Sequence, residues 1–438
     1  MLILFAVIIL LGLYMAWSIG ANDVANSMGD AVGSNAISVR NALILAGICE
    51  FAGAALLGGH VTDTVRKGIV NPESLAATPE VLALGMTCAL LAAAMWLHFA
   101  TRHGMPVSTT HSIVGAVAGF GIAAAGWRAV EWGKMGEIVA SWFISPVAGI
   151  VLGFLFFKII VWLILGKQRP AQAAVRVWPV IVFAVVMLVA ASTLCDKSLQ
   201  GRSKFLEVWL GGSRGWGIAV AISLALAIVA RVFVGRHMCG HDGTALRDQL
   251  ARVECIFAPL VVVTSCSVAF AHGANDVANA IGPLAAVVDV VQRGTVQMKV
   301  VVPMWILLLG GAGIVLGLAT YGHHVISTIG HKITQLTPSR AVAANIATAA
   351  TVLVCTRMKW PISTTHILVG SIFGVGFARG LAAVNRGVAK SIFGSWMVSV
   401  PAAALLTVVL FLICRMAGVE SILRDLMLAN AKAAAATP

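Results

Sequence analysis

Four short segments of this 438-residue chain carry side chains able to handle ions. Gly20-Ala21-Asn22-Asp23-Val24-Ala25-Asn26 recurs as Gly273-Ala274-Asn275-Asp276-Val277-Ala278-Asn279. Each Asp has Asn at −1 and +3 and Gly at −3, and each lies just past an apolar run. An ionised Asp at mid-membrane costs roughly 2.5–3.5 kcal/mol, so it needs a partner and usually a task. Carboxylate and amide oxygens are hard ligands, and Gly lets a helix unwind and offer carbonyls; at a broken helix such a set suits Na+. A capped interfacial turn would account for a single copy. Two matched copies, with no Lys or Arg in either, point to a cation site of Asp23, Asn26, Asp276 and Asn279, with Asn22 and Asn275 as further candidates.

The second pair is Pro106-Val107-Ser108-Thr109-Thr110-His111 and Pro361-Ile362-Ser363-Thr364-Thr365-His366. Pro suits a helix start, where its missing N–H is no loss. Hydroxyls there, beside unpaired backbone N–H groups, favour an anion. Ser108, Thr109, Thr110, Ser363, Thr364 and Thr365 are therefore the candidate anion ligands, although ordinary capping explains any single copy. His111 and His366 are candidates for proton transfer, since imidazole titrates near neutrality. Glu50 and Asn345, inside apolar runs, are candidate coupling-ion contacts. Asp30 lies near the first motif, but the second copy offers no acid at its matched position.

The elements that position these groups follow from solvent. Hydrophobic residues make up 59% of the chain and charged ones 11%, with a mean hydropathy of +0.95. A soluble chain carries about a quarter charged residues. Apolar runs near 20 residues recur, the length a helix needs to cross a hydrocarbon core about 30 Å thick, and in lipid only helices satisfy the backbone of such runs. Twelve spans are expected, near 2–20, 40–60, 80–101, 106–126, 137–166, 177–195, 216–235, 254–272, 300–321, 339–358, 361–384 and 390–415. Segments 24–38 and 277–292 read as broken or re-entrant. Met1 to Trp17 has no basic start and reads as the first membrane helix rather than a leader.

The motif offsets of 253 and 255, with Ser141-Trp142 echoed by Ser395-Trp396 at 254, define an internal duplication. An odd number of expected crossings separates the copies, so the halves should be inverted in the membrane. The fold class is thus an all-α polytopic membrane protein: repeat 1–166, a 167–253 connector with two helices, and repeat 254–438. The basic residues do not favour either side, so orientation stays open.

A net charge of +13 does not indicate nucleic acid, because Lys and Arg are spread among short connections. That pattern suits interfacial anchoring and anionic lipid headgroups. The eight cysteines form no CxxC pair, and His237-Met238-Cys239-Gly240-His241-Asp242 lacks paired metal-site spacing. Ser27-Met28-Gly29-Asp30 is not the GxGD of an intramembrane aspartyl enzyme, so no enzyme is expected. A passive anion channel is the rival class.

The paired GANDVAN and P-x-STTH motifs resemble the signatures of the inorganic phosphate transporter (PiT) family, over most of the chain outside about 167–253. The resemblance implies twelve helices in inverted repeats and a homodimer in a bacterial cytoplasmic membrane. It also implies that Asp23, Asn26, Asp276 and Asn279 serve coupling ion and substrate, while the two hydroxyl triplets hold phosphate. The spelling GANDVAN is closer to the sodium-coupled branch than to the proton-coupled one. No organic cofactor is implied, only Na+ or H+ as coupling ion. The family includes sulfate permeases, the alternative reading. Phosphate keeps a proton at neutral pH and can donate to a carboxylate, whereas sulfate meets Asp23 or Asp276 as a repelling charge. The expected function is Na+-driven import of inorganic phosphate.

Overall fold

Apolar periodicity bounded by Pro, Ser and Gly sets the helices of this chain, seen in a computed structural model that describes residues 2–59, 69–195, 204–238, 245–296, 302–326, 336–360, 362–380 and 386–436. Residues 1–166 contain α1 (Leu2–Gly33), α2 (Val39–Leu57), α3 (Pro79–Arg102), α4 (Thr109–Ala125) and α5 (Trp132–Ile160), the last extended by a π-helical turn over Val161–Leu165. After them come α6 (Pro170–Leu194), the short α7 (Lys204–Leu210) and α8 (Ser213–Met238). The remainder comprises α9 (Leu246–Arg293), α10 (Met304–Tyr321), α11 (Pro338–Arg357), α12 (Thr364–Arg379), α13 (Arg386–Met416) and α14 (Val419–Ala436).

Local chemistry explains the boundaries that matter. Pro79 and Pro338 start α3 and α11 at positions that need no N–H. Ser108 and Ser363 cap α4 and α12 by accepting from His111 N and His366 N. Gly294, at φ 70°, ends α9 in the left-handed conformation that favours glycine.

Each of the twelve expected spans has a helix, and among the described residues ten helices are long and apolar enough to cross a membrane. Large apolar side chains such as Leu10, Phe143, Trp162, Val229 and Met397 are exposed, while Asp23, Glu50 and Asp276 are buried. Apolar outside and ionisable inside is the arrangement for lipid as solvent. The two helices opening on Ser-Thr-Thr have only 17 and 16 residues. At 1.5 Å per residue each reaches about 25 Å, short of a full crossing.

The broken segments are not found. Residues 24–33 continue α1 without interruption, and 277–292 lie inside the 48-residue α9, which carries Pro283 without ending. The motif glycines serve crossing instead of unwinding. A Cβ at Gly20 would collide with the Ile314 carbonyl of α10, and one at Gly273 with the Glu50 carbonyl of α2. Because the motif's polar side chains bond to other helices, the backbone keeps its own ladder. The connector boundary expected at 253 falls within α9.

Matched contacts recur with the halves exchanged. Gly317 of α10 meets Trp17 of α1, and Gly53 of α2 meets Phe270 of α9. Gly115 of α4 rests on Val400 of α13, and Gly370 of α12 on Pro146 of α5. The motif helices α1 and α9 run antiparallel to one another: Gly12 lies against Leu284, Asp23 beside His272, and Asp30 accepts from Ser265.

Candidate functional site

The two motif Asp residues lie at the α1–α9 crossing, both fully buried. Asn26 Nδ2 donates to Asp23 Oδ1 at 2.9 Å and to Thr365 Oγ1 of α12 at 2.8 Å. Asn279 Nδ2 donates to Thr110 Oγ1 at 3.1 Å and Thr109 Oγ1 at 3.5 Å, both on α4. Each repeat's Asn thus reaches the hydroxyls of the other repeat. Thr364 Oγ1 donates to Asp276 Oδ2 at 2.7 Å.

The starts of α4 and α12 face each other across this centre. Thr110 Oγ1 donates to Ile362 O at 2.8 Å, and Thr365 Oγ1 to Val107 O at 3.4 Å. Two helix N-termini therefore converge, and their unpaired N–H groups make a donor-rich locus for an anion, while the hydroxyl protons of Thr110, Thr364 and Thr365 are directed to Ile362 O, Asp276 and Val107 O. Ser108 and Ser363 differ from the threonines, because their oxygens accept from their own helices.

Asp23 Oδ2, Asn26 Oδ1 and Asp276 Oδ1 are buried without hydrogen-bond partners. Unpaired buried acceptors of this kind are costly, and a hard cation would satisfy them. The donor set fits Na+: two carboxylates and amide oxygens, with no thiolate.

Asn22 and Asn275 act as fasteners. Asn22 Nδ2 donates to Thr101 Oγ1 at 2.9 Å and Met105 O at 3.2 Å, while Val107 N donates to Asn22 Oδ1 at 3.3 Å. Asn275 repeats this with Thr356 Oγ1 at 3.0 Å and Trp360 O at 3.5 Å. Each motif thereby pins the turn that presents the hydroxyls. His111 and His366 pack edge to face at 4.4 Å between ring centroids, with Trp142 at 3.8 Å from His111 and Trp396 at 3.5 Å from His366.

One central residue escaped sequence reasoning. The acids have no basic neighbour within their motifs, yet His272 Nε2 stands 3.0 Å from Asp276 Oδ2 and 3.5 Å from Asp23 Oδ2. Its Nδ1 is 3.3 Å from Glu50 Oε1, and that oxygen accepts from Ser27 Oγ at 3.1 Å. Glu50 therefore joins the centre through His272. Asn345 does not: it lies with Asp30, Thr264 and Ser265 in a separate buried cluster. Residues 239–242 of the His237–Asp242 stretch lie outside the described residues.

Residues 19–407 match the model of the Phosphate transporter family. A relative from Pyrococcus abyssi is 43% identical over 94% of this chain and 98% of its own length. The inorganic phosphate transporter 2-1, chloroplastic, of Arabidopsis thaliana is 41% identical, covering 92% of this chain and 70% of its own. Among solved structures, a sodium-dependent phosphate transporter superposes with a TM-score of 0.86 at 40% identity, over 94% of this chain and 99% of that one. An all-α membrane architecture, a core of paired acids and facing hydroxylated helix starts, and these likenesses lead to one assignment: this chain belongs to the phosphate transporter family and is a multi-pass membrane transporter, not an enzyme.

Proposed function

We propose that the chain is a symporter that imports inorganic phosphate with Na+. The observation that carries the reading is the meeting of the two Asp–Asn pairs of α1 and α9 with the threonine hydroxyls of α12 and α4. Phosphate would sit between the two helix starts, held by Thr109, Thr110, Thr364, Thr365 and free N–H groups, with Ser108 and Ser363 shaping the caps. Na+ would sit against Asp23, Asn26, Asp276 and Asn279, satisfying the unpaired oxygens of the first three. The cation then offsets part of the negative charge of the acids and the anion at the crossing, which lowers the cost of carrying the anion through a low-dielectric core. The similarity to a sodium-dependent phosphate transporter supports Na+ over H+.

Antiparallel α1 and α9, together with contacts that recur when halves are exchanged, support reading the chain as two inverted repeats, 1–166 and 254–438. Such a pair places the site on a pseudo-two-fold axis and lets one half rock against the other. The test is phosphate uptake by proteoliposomes at fixed external pH, with the pH gradient collapsed by an ionophore and Na+ varied against choline. Uptake against a phosphate gradient that requires Na+, with sulfate a poor competitor, is expected. Full uptake in choline that disappears with the pH gradient refutes sodium coupling, and equilibration without accumulation refutes active transport.

A further inference from the structure

Between α5 and α11, beside the start of α12, lies a cavity of about 260 Å³. Its walls are apolar apart from one thiol and three hydroxyls, and one wall is Ile362, whose carbonyl accepts from Thr110. Ile144, Val354 and Met358 line it and are each more than half exposed, on a surface that α5 continues with Phe143, Val147 and Val151. The cavity therefore opens onto the face that lipid covers. Two of its hydroxyls are taken up by the backbone: Ser141 donates to Ile138 O at 2.6 Å and Thr351 to Ala347 O at 2.8 Å. The third, Ser145 Oγ, is buried with no partner.

The other repeat builds the same corner differently. Thr101 and Thr356, each bonded by a motif asparagine, are 255 residues apart, and so are Arg102 and Arg357 at the ends of α3 and α11. By that offset Ala350, Thr351 and Val354 correspond to Met95, Trp96 and Phe99, three larger side chains. Trp96 and Phe99 stack at 5.9 Å between ring centroids. By the 254 offset of Ser141-Trp142, Ser145 corresponds to Ser399, which donates to Ser395 O at 2.8 Å. Bulky rings thus stand in one half where α11 leaves room, and the unpartnered hydroxyl lies on the roomy side.

The Met358 end of the cavity carries Arg357, Lys359 and Trp360, the residue types that collect where membrane meets water. Arg357 donates to Ala191 O and Ser192 O of α6, which holds its charge at this end. From Ala350 to Met358 the chain rises about 12 Å, close to the ~15 Å that one leaflet contributes to a hydrocarbon core. An apolar cavity of this size excludes water and accepts hydrocarbon. We propose that it seats one acyl chain of an anionic phospholipid, with the headgroup drawn to Arg357 and Lys359 and a lipid oxygen accepting from Ser145 Oγ. Gly149 and Gly153 of α5 press on Ile367 and Ser371 of α12 beside the cavity. A chain seated against Ile362 then supports the turn that presents Thr364 and Thr365.

The test uses full-length protein purified in detergent and stripped of lipid, to which phosphatidylglycerol or phosphatidylcholine of equal chain length is added. Phosphatidylglycerol is expected to raise the melting temperature, and native mass spectrometry to show one tightly held molecule per chain. Thr351→Trp, which copies Trp96, is expected to abolish both effects, and Val354→Phe, which copies Phe99, serves if Thr351→Trp does not fold. Lys359→Gln should weaken the preference for phosphatidylglycerol several-fold, and Ser145→Ala should weaken retention. In proteoliposomes, phosphatidylglycerol should lower the phosphate concentration for half-maximal uptake several-fold in the wild type and leave it unchanged in Thr351→Trp. Retention and stabilisation that survive in both filled variants place the lipid elsewhere on the belt and overturn the site. Equal effects of the two lipids overturn the anionic headgroup. A dimer that falls apart in the filled variants while lipid retention is intact shows a second copy of the chain in the groove, and overturns the proposal as well.

Discussion

Gly115 is where α4 leans on α13, and replacing it by Ala tests whether that contact holds the proposed anion site. A Cβ at this position would stand 2.5 Å from the Val400 carbonyl oxygen and 2.9 Å from its Cα. Both are backbone atoms, so no rotamer change relieves the clash. Carbon–oxygen contacts settle at about 3.3–3.6 Å, so the helices must part by roughly 0.8 Å. Thr110 lies five residues earlier on α4, bonded to Ile362 O at 2.8 Å and to Asn279 Nδ2 at 3.1 Å. Stretching either by that distance takes it past the useful range of a hydrogen bond, roughly 3.5 Å. At about 0.5–1.5 kcal/mol each, losing both misplaces Thr110 by about 1–3 kcal/mol. Since 1.4 kcal/mol is about tenfold, the phosphate concentration for half-maximal uptake should rise roughly tenfold in Gly115→Ala. Overpacking should also lower stability by about 1–3 kcal/mol. The assay is radiolabelled phosphate uptake in proteoliposomes at saturating Na+, with melting temperature recorded in parallel. Gly136→Ala is the control, because nothing lies within 4 Å of a Cβ there. Half-saturation within twofold of wild type and an unchanged melting temperature for Gly115→Ala would refute the claim that this crossing fixes α4.

Three further outcomes follow from the same geometry. Asp23→Asn and Asp276→Asn keep size and remove charge, so the protein should still fold while Na+-driven uptake collapses in each; near-normal rates in both would remove the acids from the site. Thr110→Val, whose hydroxyl contacts Asn279 and a carbonyl, should raise phosphate half-saturation several-fold with little change in Na+ requirement, whereas Thr364→Val should shift both, because Thr364 donates to Asp276 at 2.7 Å. Titrating each substrate at saturating levels of the other separates the two patterns. Ser363→Ala removes a helix cap and should cost about 1 kcal/mol of stability, read as a lower melting temperature, before any loss of phosphate affinity.

Duplication made most of the candidate site legible, because a residue type kept at two matched positions stands out from ordinary capping. It also set the blind spot. His272 sits one residue before the second motif, but its counterpart in the first half is Ile19, so twinning gave no signal for it. Glu50 stands out in the sequence only as an acid in an apolar run, and its link to the central acids is the His272 contact at 3.3 Å. Helix positions followed from apolar run length, whereas continuity through the motifs did not. Gly next to Asn-Asp reads equally as a place to unwind and as a place to cross. Which one applies depends on whether another helix fills the space, and Ile314 and Glu50 fill it here.

Symmetric and asymmetric residues then divide the work. On the inverted-repeat reading proposed above, a site made only of twinned groups would offer the same ligand geometry to both membrane faces as the halves rock, so it would favour neither direction by itself. The Asp–Asn pairs and the threonines meet that description, each serving the partner repeat. His272 and Glu50 do not. Gly20 rests on Ile314 as Gly273 rests on Glu50, so the pair Ile19–Ile314 stands in one half where His272–Glu50 stands in the other. This places one imidazole between both central acids and ties it to α2 but not to α10. Replacing His272 by Leu should therefore affect uptake more than the same exchange at Ile19, although the two are structural twins. Charge distribution, rather than backbone shape, is what distinguishes the halves at the crossing.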